Sequence, residues 1–301
     1  MIYLHANNGS RVEGLQYLDG LLHAKFNVCL FDFSGSGLSG GQYISLGLKE
    51  SHDLQCVTSY LRCEMKVKRV ILWGRSMGAC TALIYANRQP ERVEGLILDS
   101  PFKDLRKLIK ELGSERTCLP KCFFEPLMPF ISDELHQKVG YTLEDYKLKK
   151  HLGNLGRVPA LFLVSKEDKL VKPHHGEKLY TRYPAKNKRL EYIEIQHHEN
   201  RTSEIICKCI RFIKFALTPK IKATFKRNEG SLTSRTLHSK ESKHPNASLK
   251  VEAQQGSTRT SCQDLNFSAK LKKASSKVSL KEHVLLKNQK PKLSLAHINR
   301  K

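Results

Sequence analysis

The sequence predicts an α/β protein with a mainly parallel sheet and helices on both faces, followed by a disordered basic C-terminal tail. The first part rests on two observations. Apolar, β-rich runs alternate with segments of helical apolar spacing as far as residue 217. One of those runs passes into a helix through Gly74-Arg75-Ser76-Met77-Gly78, the G-x-S-x-G pattern of a nucleophile elbow. The tail rests on composition. Residues 1–218 carry 33 Lys+Arg and 24 Asp+Glu, whereas residues 219–301 carry 19 and 5, with Phe225 and Phe267 as their only aromatics. So little apolar surface does not offset chain entropy, and the domain boundary falls at residue 218.

Taken in order, residues 1–4 are a strand, and His5 to Arg11 a polar loop in which His5 shapes the chain rather than acting as a base. Leu15, Leu18, Leu21 and Leu22 mark a helix over 12–22, and NVCLFDF a second strand over 27–33. The glycines at 35, 37 and 40 formally match a dinucleotide fingerprint. No helix opens after them to receive a pyrophosphate, so no nucleotide cofactor is expected, and Asp32 reads as a residue that orders the loop. A helix over 48–61 leads to the elbow strand, with a fourth strand over 93–98 and an amphipathic helix over 103–112. Residues 113–156 set Pro120, Pro126 and Pro129 among Phe123, Phe124, Leu127 and Phe130. That composition suits an irregular lid over an apolar pocket, or equally a loop packed on the core. A fifth strand over 159–164, a helix over 174–182, a sixth strand over 189–195 and a helix over 203–217 complete the domain.

A serine hydroxyl needs a base to take its proton, and the base needs a third group to fix its tautomer. In a parallel sheet these groups belong in loops at the C-terminal strand ends. Asp168 follows the fifth strand, with Glu167 beside it and Asp99 as the main alternative. Of the 13 histidines only His197 and His198 lie between the last strand and the last helix, and His198 is preferred. His174 and His175 read as surface residues at a helix start. Oxyanion stabilisation falls to the backbone N–H of Met77 and one near Asn7.

The nine cysteines are odd in number and scattered, which argues against a disulfide framework and for a reducing cytosolic compartment. The spacings Cys118/Cys122 and Cys207/Cys209 are not zinc knuckles, so no metal is expected. No apolar run reaches the roughly 20 residues of a membrane span.

Together YLHANNGSR, FDFSGSGLSGG, LWGRSMGA, LDSPF, SKEDKLV and HHENR resemble the α/β-hydrolase superfamily, in its serine-aminopeptidase-like subgroup. The resemblance covers residues 1–217. It implies Ser76 as nucleophile, Asp168 as acid, His198 as base and Asn7 and Met77 as oxyanion donors. Three features depart from the pattern: Ala6 replaces the glycine that usually follows the first-loop histidine, His198 is flanked by His197 and Glu199, and the usual first strands are lacking, which leaves the edge at 27–33 bare. The expected function is a serine hydrolase acting on an ester, thioester or small amide of a small molecule, lipid or peptide. The alternative is a catalytically weak hydrolase-fold scaffold whose basic tail contacts anionic membrane or nucleic acid. The expected location is cytoplasmic, peripheral at membranes if the tail engages them.

Overall fold

The computed structural model describes residues 1–218; the tail expected over 219–301 lies outside them. Six parallel strands, β1 (Ile2–Leu4), β2 (Cys29–Leu30), β3 (Ile71–Arg75), β4 (Gly95–Asp99), β5 (Ala160–Ser165) and β6 (Lys188–Ile193), form one sheet in the order β2-β1-β3-β4-β5-β6. The chain starts near the middle, winds outward to β2, then crosses back and winds outward to β6. That reversal lies between β1 and β3 and opens the crevice where α/β sheets place their chemistry. The register sets Tyr3 opposite Trp73 and Arg75 opposite Asp99, so the strand that precedes the elbow ends beside the carboxylate that closes β4.

Among the described residues there are seven α-helices: α1 (Leu15–His23), α2 (Glu50–Cys63), α3 (Met77–Arg88), α4 (Leu105–Thr117), α5 (Met128–Val139), α6 (Pro173–Arg182) and α7 (Ser203–Leu217). Alternation within the strands sorts the core into two layers. Tyr3, Ile71, Trp73, Ile97, Leu161 and Leu163 face α1 and α7. Ile2, Leu72, Leu96, Leu98 and Phe162 face the side on which α3 is buried along its whole first three turns. Trp73, the single tryptophan, is fully buried with its ring centroid 4.3 Å from that of Tyr17 and 6.4 Å from that of Tyr3.

Two expectations are corrected. The strand predicted over 27–33 shrinks to Cys29–Leu30 at the sheet edge, because the residues beyond it are diverted into side-chain bonds. Phe33 N–H donates to His5 Nε2 at 3.1 Å, and Asp32 accepts from the backbone of Arg11 and of Leu38 while its carboxylate pairs with the Arg11 guanidinium. The insertion predicted to be irregular is largely helical. Helix α4 runs on to Thr117 and stops at left-handed Cys118, and α5 begins with Pro129 in its first turn, where a missing N–H is harmless. Met128, Val139, Leu143, Tyr146 and Leu148 are buried, while Phe123, Leu127 and Phe130 are exposed.

Candidate functional site

The elbow is built by close approach. At Gly74 a Cβ would lie 2.2 Å from the carbonyl oxygen of Gly78, and at Gly78 one would lie 2.0 Å from that of Leu4. The two glycines of the motif therefore let α3 fold back against its own strand and against β1. Ser76 sits between them at φ 51°, ψ −112°, a backbone conformation that side chains other than glycine rarely adopt. Its N–H is held by the carbonyl of Asp99 at 2.8 Å. Met77 opens α3, so its amide belongs to the first turn, whose N–H groups find no partner within the helix.

Asp168, buried in the loop after β5, divides its carboxylate between two tasks. Oδ1 accepts the N–H groups of Leu170 at 2.9 Å and Val171 at 2.7 Å; Oδ2 lies 2.6 Å from Nδ1 of His197. With that nitrogen donating, the Nε2 lone pair is left free, the tautomer a general base needs. This corrects the preference for His198. The imidazole that meets Asp168 is His197, and His198 is turned edge-on to it, ring centroids 5.0 Å apart. His198 instead lines a small cavity with Asn8, Gly9, Glu13, Arg75 and Asn200. Burial and then the adjacent His197 hold the His198 pKa below its ordinary value.

The register of that loop is set by two arginines to which sequence reasoning gave no role. Arg75, the residue before Ser76, donates through Nη2 to the carbonyls of His197 and, at 3.1 Å, of Glu199. Its Nη1 reaches Glu13 Oε1 at 3.3 Å, and Glu13 also accepts Tyr3 O–H and the N–H of Ala6, each at 2.9 Å. One carboxylate thus joins the loop carrying Asn7 to the arginine that holds the histidine loop. Arg201 is buried against Asp99, donating Nε to Oδ2 at 2.7 Å and Nη2 to Oδ1 at 2.8 Å, while its Nη1 meets the Glu199 carbonyl at 2.8 Å. Burial, the largest single influence, would raise the Asp99 pKa, but the charge and hydrogen bonds of Arg201, with Arg75 and His197 nearby, together hold the carboxyl below the usual range. Asp99, the alternative acid, is therefore committed to Arg201. Arg201 had a signal in the motif HHENR; Arg75 occupies a variable place of the elbow pattern and had none.

His5 acts as a shaping residue: with Nε2 accepting from Phe33, the assigned tautomer has Nδ1–H donating to the Ala6 carbonyl at 2.8 Å. Asn7 is exposed on the same loop. Of the two histidines expected at the surface, His174 is partly exposed but His175 is fully buried, and with Glu111 the two rings bring their ligand atoms within 4.8 Å of one another. The hydrogen bonds do not suit a cation. His175 Nδ1 accepts the Lys103 N–H at 3.2 Å, which puts the ring proton on Nε2, 3.0 Å from Glu111 Oε2, and leaves no lone pair there. Burial pushes the His175 pKa down to about 4, in keeping with a neutral structural ring.

A six-stranded parallel core that turns through a strained serine into α3, with Asp168 after β5 meeting His197 after β6, is the α/β-hydrolase fold, and the chain's likenesses are to that superfamily. The family model described as serine aminopeptidase, S33, matches residues 11–131, a span that contains Ser76 and stops before Asp168 and His197. The uncharacterized protein YqkD of Bacillus subtilis is 30% identical over 183 residues, which are 60% of this chain and 58% of that protein. Less than two thirds of that relative's length is therefore spanned. Among solved structures, the Pyrococcus furiosus esterase Pf2001 superposes with a TM-score of 0.58 at 25% identity, over 72% of this chain and 81% of the esterase. A Paleococcus ferrophilus monoacylglycerol lipase does so with a TM-score of 0.52 at 19% identity, over 71% and 92% respectively, a likeness of fold.

Proposed function

We propose that the chain is a serine hydrolase that cleaves a carboxylic ester, thioester or small amide through an acyl-enzyme, with Ser76 as nucleophile, His197 as base and Asp168 as the group that orients it. The observation that carries this reading is the 2.6 Å contact of Asp168 with His197 Nδ1, on a loop that Arg75 fastens to the strand leading into Ser76. Ser76 Oγ adds to the substrate carbonyl carbon as its proton passes to His197 Nε2. Collapse of the tetrahedral adduct expels an alcohol, thiol or amine, which takes that proton. Water then adds to the acyl carbon, gives a proton to the same nitrogen, and releases the acid with the serine restored. The negative oxygen formed in each addition is met by the N–H of Met77, at the positive end of α3, and by one near Asn7, on the loop that Glu13 steadies. The likeness to the Pyrococcus furiosus esterase favours an oxygen ester over an amide.

A fluorophosphonate probe tests the assignment. Wild-type protein is expected to be labelled and Ser76→Ala not. His197→Ala should slow labelling by about a thousandfold or more, the scale of losing a base from such an assembly, whereas His198→Ala should stay within about tenfold of wild type. Folded wild-type protein that resists the probe would end the proposal, and a larger loss at His198 than at His197 would reverse the choice of base.

A further inference from the structure

A second cavity, of about 290 Å³, lies where the start of α4, the turn Leu148–His151 and the outer face of α6 meet; Ser76, Asp168 and His197 are not among its lining residues. Its wall is strongly cationic: Lys103, Lys107, Lys147, Lys149, Lys178 and Arg182 all border it, with Asp104 as the one acidic residue. Carboxylates offset this group only in part, Glu144 by pairing with Lys147 and Glu111 by its charge near Lys103. Asp104 caps α4 by accepting the Lys107 N–H at 3.1 Å, and Glu144 is taken by Lys147 at 2.5 Å. Among the described residues Lys103, Lys107, Lys149, Lys178 and Arg182 have no carboxylate within 4.0 Å. Lys103 is nine-tenths buried, at 9% exposure, and still unpaired. A lysine left that way is costly unless an anion meets it.

The backbone beneath the cations is rigidly tied. Leu148 N–H donates to the Lys103 carbonyl at 3.0 Å, Asp104 and Lys147 form an isolated antiparallel bridge, and Lys103 N–H donates to buried His175 on α6. The first two segments are thereby joined by main-chain bonds and α6 is tied to them through the His175 ring, so the charges converge on a preformed hollow. We propose that this cavity is a binding site for a phosphomonoester, on a small soluble molecule or on a lipid headgroup, separate from the serine centre. A phosphate dianion offers several oxygens to surrounding ammonium groups at once, and the hollow admits one compact group of that kind rather than a long polymer. The crowding is already felt in the protein alone, since burial first, and then Lys178 and Lys107, push the Lys103 amine down to about 8.

The test is site-resolved, so that the basic tail does not confuse it. The full chain is pulse-acetylated at its lysines in the presence of inorganic phosphate, pyrophosphate, or vesicles bearing phosphatidic acid or phosphatidylserine, and the modified positions are read by mass spectrometry. Lys107 and Lys178, exposed in the cavity wall, are expected to be protected while Lys68 and Lys186, exposed elsewhere, are not. Protection by the soluble anions assigns a soluble phosphate. Protection by phosphatidic acid vesicles alone, exceeding that by phosphatidylserine, assigns the headgroup. In Lys178→Ala/Arg182→Ala, two exposed changes that leave the core untouched, the pyrophosphate concentration protecting Lys107 should rise about tenfold or more. Equal protection of all four lysines, no protection of Lys107 and Lys178 by any of the probes, or an unshifted double variant overturns the proposal.

Discussion

Replacing Arg201 by methionine removes an ion pair buried on both sides while keeping a similar apolar length. Both side chains of the Arg201–Asp99 pair are wholly out of solvent, and two hydrogen bonds of 2.7 and 2.8 Å join them. The variant leaves a buried carboxylate with nothing to balance it, a loss typically of about 3–5 kcal/mol. Two charge-assisted bonds at about 1.5–3 kcal/mol each reach the same range from the other direction. We therefore expect a loss near 4 kcal/mol, which in a domain of this size lowers Tm by about 8–16 °C. Differential scanning calorimetry with urea unfolding measures it. Asp99→Asn/Arg201→Met should recover much of the loss, because the orphaned charge is gone. A single variant destabilised by less than about 1 kcal/mol, or a double variant no better than the single, would refute the view that an unbalanced buried charge is what the pairing prevents.

Three further outcomes are expected. Gly78→Ala should fold poorly, losing about 3 kcal/mol or more, since its methyl would overlap the Leu4 carbonyl; a melting curve like that of wild type would contradict the close approach. Arg75→Lys keeps the charge but not the fork that spans Glu13 and two carbonyls, so turnover of an ester substrate should fall by about tenfold to a hundredfold with KM little changed; a change confined to KM would show that Arg75 acts on binding instead. Because His175 is neutral in the fold down to about pH 4 but titrates near 6.5 when unfolded, the unfolded chain binds the extra proton between those values. Stability is then complete above about pH 6.5 and falls as pH drops toward 4, and His175→Gln should flatten that slope in urea titrations across the window.

How much of this was legible in the sequence depends on how local each signal is. The strands and helices around Ser76, and the place of Asp168 after β5, follow from short-range pattern: an apolar run, two glycines, a loop. The choice between His197 and His198 did not, because neighbouring residues share every local property. What separates them is a long-range contact, the Arg75 guanidinium on the His197 carbonyl 122 positions away. The same reason hid the pairing of Asp99 with Arg201, 102 positions apart. The strand at 27–33 was overextended because alternation cannot reveal that Phe33 N–H would leave the ladder for His5. The insertion looked irregular because prolines interrupt its pattern, although Pro129 stands in the first turn of α5, where it is tolerated.

The placement of Trp73 gives this protein a built-in optical gauge. A lone indole three residues before the nucleophile, shut away from water between two tyrosines, emits at short wavelength while the sheet is intact and shifts to the red once water reaches it. Each variant above can thus be checked for a sound central strand by its intrinsic emission, without any added dye, before its chemistry is judged.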